Sequence, residues 1–167
     1  VGLSTDKACS PKNVYGYSKS ILENCFMEAN TNRNRFACTR FANVAMTSDS
    51  VVPLWKTLIE KVKPLKLTDV KMNRLMFSQK DAVNVIKKSI DRCESYEGGF
   101  IASTLMKSVN MKDLAETLLE MYDKPKDSIE VVGIRPGEKL DEKLVSEKEI
   151  PFTHIWNDLI LIKQKEN

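Results

Sequence analysis

Two residues near the start of the chain, Tyr15 and Lys19, have the types and the spacing of a proton-transferring pair. In a helix, residues four apart lie on one face, so the ammonium would lie close to the phenol. A neighbouring cation favours the phenolate, and a tyrosine in such a pair can move a proton at neutral pH. The pair therefore indicates acid–base chemistry, although Tyr-x-x-x-Lys alone also occurs in helices that have no catalytic role.

A second polar group, Ser4-Thr5-Asp6-Lys7, lies upstream of this pair. It follows a short segment that is typical of the end of a strand, and a turn containing Pro11 comes next. Catalytic side chains commonly emerge at the carboxyl edge of a parallel sheet, which is where such a group would lie. A carboxyl and an amine side by side can supply an acid and a base, although the group alone is also typical of a solvated turn.

The elements that would position these residues alternate between strands and helices. Apolar residues at intervals of three and four predict a helix over 13–29, with Ile21, Leu22, Cys25 and Phe26 on its buried face. Similar patterns predict helices over 52–63, 78–92 and 110–122, and strands over 36–41, 65–68, 98–104, 128–134 and within 158–167. This alternation favours an α/β fold with crossover connections.

The composition of the chain argues against several classes of protein. Its 26 basic and 23 acidic residues are interspersed and give a net charge of +3, so we expect no nucleic-acid partner. No apolar run reaches the roughly 18 to 20 residues of a membrane span, and no signal peptide is present, so we expect a cytoplasmic protein with no membrane partner. The four cysteines lack a C-x-x-C spacing and His154 is the single histidine, so we predict reduced, mostly buried thiols and no metal site.

Three stretches of the chain resemble the extended short-chain dehydrogenase/reductases, and within them the inverting UDP-N-acetylglucosamine 4,6-dehydratases. They are LSTDKACSPKNVYGYSK near the start, TRFANV followed by SVVPLW, and GIRPGEKLDEKL near the end. The resemblance runs from residue 1 to about 150. It implies the C-terminal part of a Rossmann-like fold plus a small substrate-binding domain. Residues 1–45 would belong to the NAD(P)-binding domain with the catalytic segment, 46–150 mainly to the nucleotide-sugar-binding region, and 151–167 to a divergent tail.

The resemblance also implies roles for the candidate catalytic residues, which are Thr5, Asp6, Lys7, Tyr15 and Lys19. Tyr15 and Lys19 would serve the oxidation at C4 of the sugar, and both would contact the cofactor. Asp6 would donate a proton to the hydroxyl that leaves C6, and Lys7 would remove the proton from C5. We therefore expect a lyase that uses NADP, with NAD as the alternative cofactor.

The same resemblance assigns residues to ligand binding. Phe41 would lie along the nicotinamide, and Arg74 and Arg135 would hold the diphosphate of a UDP-sugar. Asn43 would donate to that diphosphate, and Glu138 would accept from the uridine ribose. Arginine suits such a site because its guanidinium pairs with phosphate oxygens in a bidentate manner.

The sequence departs from the family in two respects. Thr47-Ser48-Asp49-Ser50 replaces a segment that usually contains Arg-Gly, and the charge of Asp49 leaves the exact sugar open. None of the six glycines forms a Gly-rich dinucleotide-binding turn, so we expect the chain to be one half of a longer, homo-oligomeric enzyme and to be inactive alone.

Two other functions stay open from the sequence. A UDP-hexose 4-epimerase would need Tyr15 and Lys19 but would have no use for a base at Lys7. A non-catalytic split or degenerate subunit would only bind a nucleotide sugar or a partner chain.

Overall fold

The computed structural model describes residues 1–48 and 50–163, which form two compact units. The first unit consists of Val1–Ala42, Lys80–Met106 and the described residues from Lys143 onward, and the second of Asn43–Gln79 and Lys107–Glu142. Each unit is therefore assembled from segments that are separated in the sequence. Asp49, which the sequence analysis singled out, lies outside the described residues.

Strands and helices alternate along the chain and are numbered here in chain order. The helices are α1 (Val14–Glu28), α2 (Val51–Glu60), α3 (Gln79–Ser95) and α4 (Met111–Met121). The strands are β1 (Gly2–Thr5), β2 (Ala37–Phe41), β3 (Asn43–Val44), β4 (Leu65–Leu67), β5 (Asn73–Phe77), β6 (Phe100–Thr104), β7 (Lys107–Asn110), β8 (Ile129–Val131), β9 (Thr153–Trp156) and β10 (Leu159–Lys163). The predicted α/β class is confirmed.

The first unit is built on a five-stranded sheet with the order β1-β2-β6-β10-β9. β1, β2 and β6 are parallel, whereas β10 runs antiparallel to both of its neighbours. The pairing of Thr5 with Phe41 brings the carboxyl ends of β1 and β2 to the same edge of the sheet. The residues that follow β1 therefore lie at the edge where parallel α/β sheets commonly bind their ligands.

Helix α1 connects β1 to β2, and its start is fixed by Asn13, whose side-chain oxygen accepts a hydrogen bond from the backbone N–H of Gly16 at 2.8 Å. The predicted extent of the helix is confirmed, but part of its predicted buried face is wrong. Ile21 is 63% exposed and Cys25 is exposed, while Glu23 and Met27 are buried. A hydrophobic pattern could not show this, because the helix buries a carboxylate.

The second unit contains two small sheets, β3-β5-β7 and β4-β8. Its core is formed by α2, α4 and β4 around Trp55, Leu65, Ala115 and Leu119. The strands β3, β5 and β7, which have two to five residues, were not predicted from the sequence. Among the residues that the structure describes, we find no helix with both the length and the apolar character needed to cross a bilayer.

Candidate active site

The turn after β1 holds three of the predicted catalytic residues in direct contact. Thr5 Oγ1 donates a hydrogen bond to Asp6 Oδ1 at 2.9 Å, and Lys7 Nζ donates to the same oxygen at 3.1 Å. Asp6 is 0% exposed, whereas the Lys7 side chain is 32% exposed. Within the described part of the chain, Asp6 Oδ2 has no hydrogen-bond partner. One carboxyl oxygen is therefore fixed by two donors, whereas the other is buried and has no partner among the described residues.

Lys7 Nζ and Asp6 Oδ1 lie 3.1 Å apart, a distance across which a proton can pass between an amine and a carboxyl. Adjacent groups of these two types can supply the acid and the base that a proton-transfer reaction requires.

Helix α1 presents the other two predicted catalytic residues, Tyr15 in its first turn and Lys19 one turn later. Tyr15 is 54% exposed, so its phenol is accessible to a ligand. Lys19 Nζ donates to the backbone oxygen of Leu3 at 2.9 Å, which ties the helix to β1 two residues before Thr5. An ammonium has three N–H donors, so Lys19 can keep this bond and still donate to a ligand hydroxyl.

Gly16 allows helix α1 to lie close to the turn after β1. A Cβ atom at this position would overlap the backbone oxygen of Lys7 and would lie 3.1 Å from Cβ of Pro11. The absence of a side chain thus allows α1, which carries Tyr15 and Lys19, to approach the turn that carries Asp6 and Lys7.

We predict that Gly16→Ala destabilises the chain by about 1 to 3 kcal/mol, the usual range for overpacking. Helix propensity alone predicts the opposite sign, since alanine stabilises a helix interior by about 0.5 to 1 kcal/mol relative to glycine. Urea unfolding followed by circular dichroism measures the difference. Ser18→Ala, at an exposed position of the same helix, is the matched control and should have little effect. A more stable Gly16→Ala variant would show that the close approach is unimportant.

A buried cluster around Arg40 joins α1, β2 and the segment that precedes β9. The guanidinium of Arg40 contacts both carboxylate oxygens of Glu23, at 2.9 and 2.7 Å, and both oxygens of Glu149, at 3.1 and 2.8 Å. It also donates to the backbone oxygen of Leu144 at 2.6 Å. Arg40 is only 1% exposed, so this charge is used within the protein and not for a ligand.

The ionisation of this cluster follows from its contacts. Burial by itself raises the pKa of Glu149, but the hydrogen bonds and charge of Arg40, together with hydrogen bonds from Ser146, outweigh burial and lower the pKa below its ordinary value. Burial lowers the pKa of Arg40, but its bonds to Glu23 and Glu149 raise that pKa overall. Burial and the charge of Glu23 also raise the pKa of Cys38 to about 12, so this thiol stays protonated at neutral pH. Arg40 and Glu149 are therefore both charged at neutral pH, and the cluster stabilises the fold.

The predicted substrate-binding residues lie in the second unit, whereas Phe41, which is predicted to lie along the nicotinamide, is a half-buried residue of the first. Asn43 Nδ2 donates to the backbone oxygen of Leu75 at 3.1 Å, which fixes the amide on the small sheet β3-β5-β7. Arg135 is exposed on a turn that Glu138 closes: Glu138 Oε2 accepts from the backbone N–H of Arg135 at 3.1 Å, and Glu138 N–H donates to the Arg135 oxygen at 3.0 Å.

Arg74 differs from Arg135 in how its guanidinium is used. Its NH1 nitrogen donates to the backbone oxygens of Asn73, Lys139 and Leu140 at 2.9, 3.0 and 3.0 Å. Both arginines are predicted to hold the diphosphate. The structure connects them, because Arg74 bonds to the backbone of the segment that directly follows the Arg135 turn.

His154 lies in the first unit, on β9. Burial and the charges of Lys163 and Arg92 lower its pKa. Within residues 1–48 and 50–163, no cluster of three or more His, Cys, Asp or Glu residues has an arrangement that could hold a metal ion.

Comparisons of the sequence with known proteins identify relatives of the chain. A family model described as a polysaccharide biosynthesis protein matches residues 1–164. The chain is 37% identical over 167 residues to a UDP-N-acetylglucosamine 4,6-dehydratase (inverting) of Campylobacter jejuni, covering 97% of the chain and 48% of that protein. It is 32% identical over 154 residues to a UDP-glucose 4-epimerase of Rickettsia canadensis, covering 90% of the chain and 44% of that protein. The chain therefore spans about half the length of these curated relatives.

Solved structures show the same fold. The X-ray structure of Pen from Bacillus thuringiensis matches with a TM-score of 0.86 at 28% identity, over 96% of the chain and 51% of that protein. DesIV from Streptomyces venezuelae, a dTDP-glucose 4,6-dehydratase solved with NAD bound, matches with a TM-score of 0.71 at 19% identity, over 88% of the chain and 51% of that protein. These matches confirm the predicted Rossmann-like fold of the short-chain dehydrogenase/reductase type.

Proposed function

The chain belongs to the polysaccharide biosynthesis protein family, and on this premise we propose that it carries the catalytic segment of an inverting UDP-N-acetylglucosamine 4,6-dehydratase. The observation that carries the proposal is the hydrogen-bonded group of Thr5, Asp6 and Lys7 at the carboxyl end of β1, with Asp6 fully buried. Elimination of water from a sugar needs an acid and a base close together, and this group supplies both.

Each catalytic residue has a role in this proposal that its surroundings support. Tyr15, exposed beside the tethered Lys19, takes the proton of the C4 hydroxyl. Lys7 removes the proton from C5 through its amine. Its side chain is partly exposed, so a substrate can reach it. Asp6 donates through Oδ2, its unengaged oxygen, to the C6 hydroxyl that leaves as water. Thr5 holds the other oxygen of Asp6 and so orients the carboxyl.

The residues present also fit the nicotinamide cofactor that the proposal requires. A bound nicotinamide would supply the hydride chemistry, in which the hydride removed from C4 is returned to C6 while C5 regains a proton. Lys19 has N–H donors left for a ribose hydroxyl after its bond to Leu3, and Phe41 offers a half-buried aromatic side chain. We propose NADP as the cofactor, in keeping with the resemblance, and NAD as the alternative.

The remaining assignments are part of the same proposal. Residues 1–45 supply the catalytic segment, and 46–150 mainly bind the UDP-sugar, through Arg74, Arg135 and Glu138 together with Asn43 of the first range. The full-length protein is a cytoplasmic homo-oligomer, as the sequence analysis expected. Because Asp6 and Lys7 have no use in an epimerase, the dehydratase is favoured over the UDP-hexose 4-epimerase that the Rickettsia relative suggests.

The test of the proposal is product analysis in a protein that contains these residues together with a dinucleotide-binding turn. UDP-N-acetylglucosamine and NADP are added, and the products are identified by nuclear magnetic resonance. A 4-keto-6-deoxy sugar supports the dehydratase, whereas a 4-epimer with no loss of water supports the alternative. Binding of the nucleotide sugar with no conversion would point to the non-catalytic subunit.

We predict that Arg135→Ala weakens UDP binding by about 1.5 to 3 kcal/mol, the scale of a hydrogen bond to a charged group. The guanidinium is exposed on a turn whose shape is set by Glu138, so it is free of the backbone contacts that occupy NH1 of Arg74. Calorimetric titration of UDP measures the loss. Arg33→Ala, at another exposed arginine, serves as the control for the change in net charge. An unchanged affinity in Arg135→Ala would remove this residue from the substrate site.

A further inference from the structure

The segment 139–141 is fastened to β5 by four hydrogen bonds. Arg74 NH1 donates to the backbone oxygens of Lys139 and Leu140, both at 3.0 Å. The backbone N–H of Asn73 donates to the Leu140 oxygen at 3.0 Å, and Asn73 Nδ2 donates to Asp141 Oδ1 at 2.8 Å. Two adjacent residues of one strand thus hold three consecutive residues of an irregular segment.

This fastened segment directly follows the turn that presents Arg135 and Glu138. The turn keeps its own shape through the two hydrogen bonds between Arg135 and Glu138, and Gly137 adopts a φ of 82° that favours glycine. Before the turn, the backbone N–H of Val132 bonds to the Leu67 oxygen at 2.8 Å. The position of the turn on the second unit is therefore set on one side by Val132 and on the other by the bonds to β5.

The geometry of NH1 limits what else Arg74 can do. This nitrogen carries two N–H groups, and the three backbone oxygens around it at 2.9 to 3.0 Å use both of them. A phosphate oxygen can compete for NH1 only by breaking the bonds that fasten the segment.

We propose that Arg74 has a positioning role: through NH1 it holds the turn of Arg135 and Glu138 in place for the uridine diphosphate. This inference rests on the proposed function for the identity of the ligand. The fastening of the turn can be tested without any ligand.

The first test is amide hydrogen exchange, followed by nuclear magnetic resonance, in the ligand-free chain. Arg74→Ala should speed exchange at the amides of Asn73 and Glu138 by about tenfold or more, since a hydrogen bond to a charged group typically contributes that much. The amide of Leu65, bonded to the Ser128 oxygen, reports whether the unit stays folded. Unchanged exchange at Asn73 and Glu138 would overturn the proposal.

The second test compares two ligands, UDP and uridine. If Arg74 acts through the turn, Arg74→Ala weakens the binding of uridine as well as that of UDP, by a factor of about ten, because Glu138 is displaced along with Arg135. If Arg74 acts only by contacting the diphosphate, UDP binding weakens while uridine binding does not, and the proposal fails. Arg33→Ala controls for the loss of one positive charge.

Asp141→Ala provides an independent variant if Arg74→Ala does not fold. It removes one of the four fastening bonds at an exposed position, and its loss of negative charge by itself favours an anionic ligand. We expect UDP and uridine to weaken several-fold and exchange at Glu138 to become faster. Unchanged or tighter UDP binding with unchanged exchange would contradict the proposal. If the unmodified chain binds neither ligand, the proposed function fails, while the exchange comparison still decides whether Arg74 holds the turn.

Discussion

In the full-length protein, replacement of Lys7 by alanine is expected to remove water elimination almost completely while hydride transfer from C4 continues. In the proposed mechanism Lys7 is the amine that takes the C5 proton, and general base catalysis contributes about 10² to 10⁴ in rate. Tyr15 and Lys19 are on a different element, α1, and keep their contacts in this variant. The measurement is the rate of 4-keto-6-deoxy product formation, with reduced nicotinamide followed by its ultraviolet absorbance. Reduced cofactor should accumulate because the step that consumes it is blocked.

Lys12→Ala is the matched control, since Lys12 is an exposed lysine in the loop between the turn and α1. It should leave the rate within a few-fold of the unmodified protein. Loss of the 3.1 Å contact also leaves Asp6 buried without its cation, so the unfolding of Lys7→Ala must be measured in parallel. A folded Lys7→Ala protein that loses only a few-fold in product formation would exclude Lys7 as the base.

Replacement of Arg40 by methionine is expected to destabilise the chain by about 3 to 5 kcal/mol, the usual effect of removing one partner of a buried ion pair. Methionine fills a similar volume but leaves Glu23 and the partly buried Glu149 without their cation. It also leaves the Leu144 oxygen without its donor. Urea unfolding of the chain measures the loss.

The control for Arg40→Met is Lys126→Met, which removes the cation of an exposed ion pair with Glu120. Exposed pairs contribute little, so this variant should lie within about 0.5 kcal/mol of the unmodified chain. The pKa of Glu149 is depressed in the folded state, so its stabilising contribution is present above the unfolded pKa of about 4.3 and is lost as the pH falls through the folded value. The difference between the chain and Arg40→Met should therefore shrink in acid. Equal stability of the two at neutral pH would contradict a structural role for the cluster.

The local elements of the fold could be predicted because they depend on residues that are close in the sequence. The helix predicted over 13–29 is α1, Val14–Glu28, and the segment 110–122 contains α4 with Asn110 as its N-cap. The buried face of α1 could not be predicted in full. Glu23 is buried because Arg40 pairs with its charge, and Arg40 is held in turn by Glu149, which lies 109 positions away in the sequence.

The strand end and the helix start that hold the predicted catalytic residues could be located from the sequence because both are local features. The sequence did not show that Thr5 and Lys7 donate to the same oxygen of Asp6, since that depends on side-chain geometry in a 3-10 turn. Likewise, the positioning role of Arg74 depends on its bonds to Lys139 and Leu140, which lie 65 and 66 positions away in the sequence. A resemblance to other proteins does not reveal such bonds. The strands β3, β5, β7 and β9 were missed because most of their residues are half-buried or exposed, so their sequences show neither an apolar run nor a clear alternation.

The discontinuity of the first unit determines the order in which the two units can fold as the chain leaves the ribosome. All residues of the second unit have been synthesised once Glu142 is added, whereas the first unit still lacks β10 at that point. Until Leu159–Lys163 arrive, β6 has an open edge beside a core that needs Leu161 and Ile162. Open, apolar edges pair readily with other chains. The second unit can therefore fold first, and the nascent protein is most prone to aggregate in the interval before β10 pairs with β6.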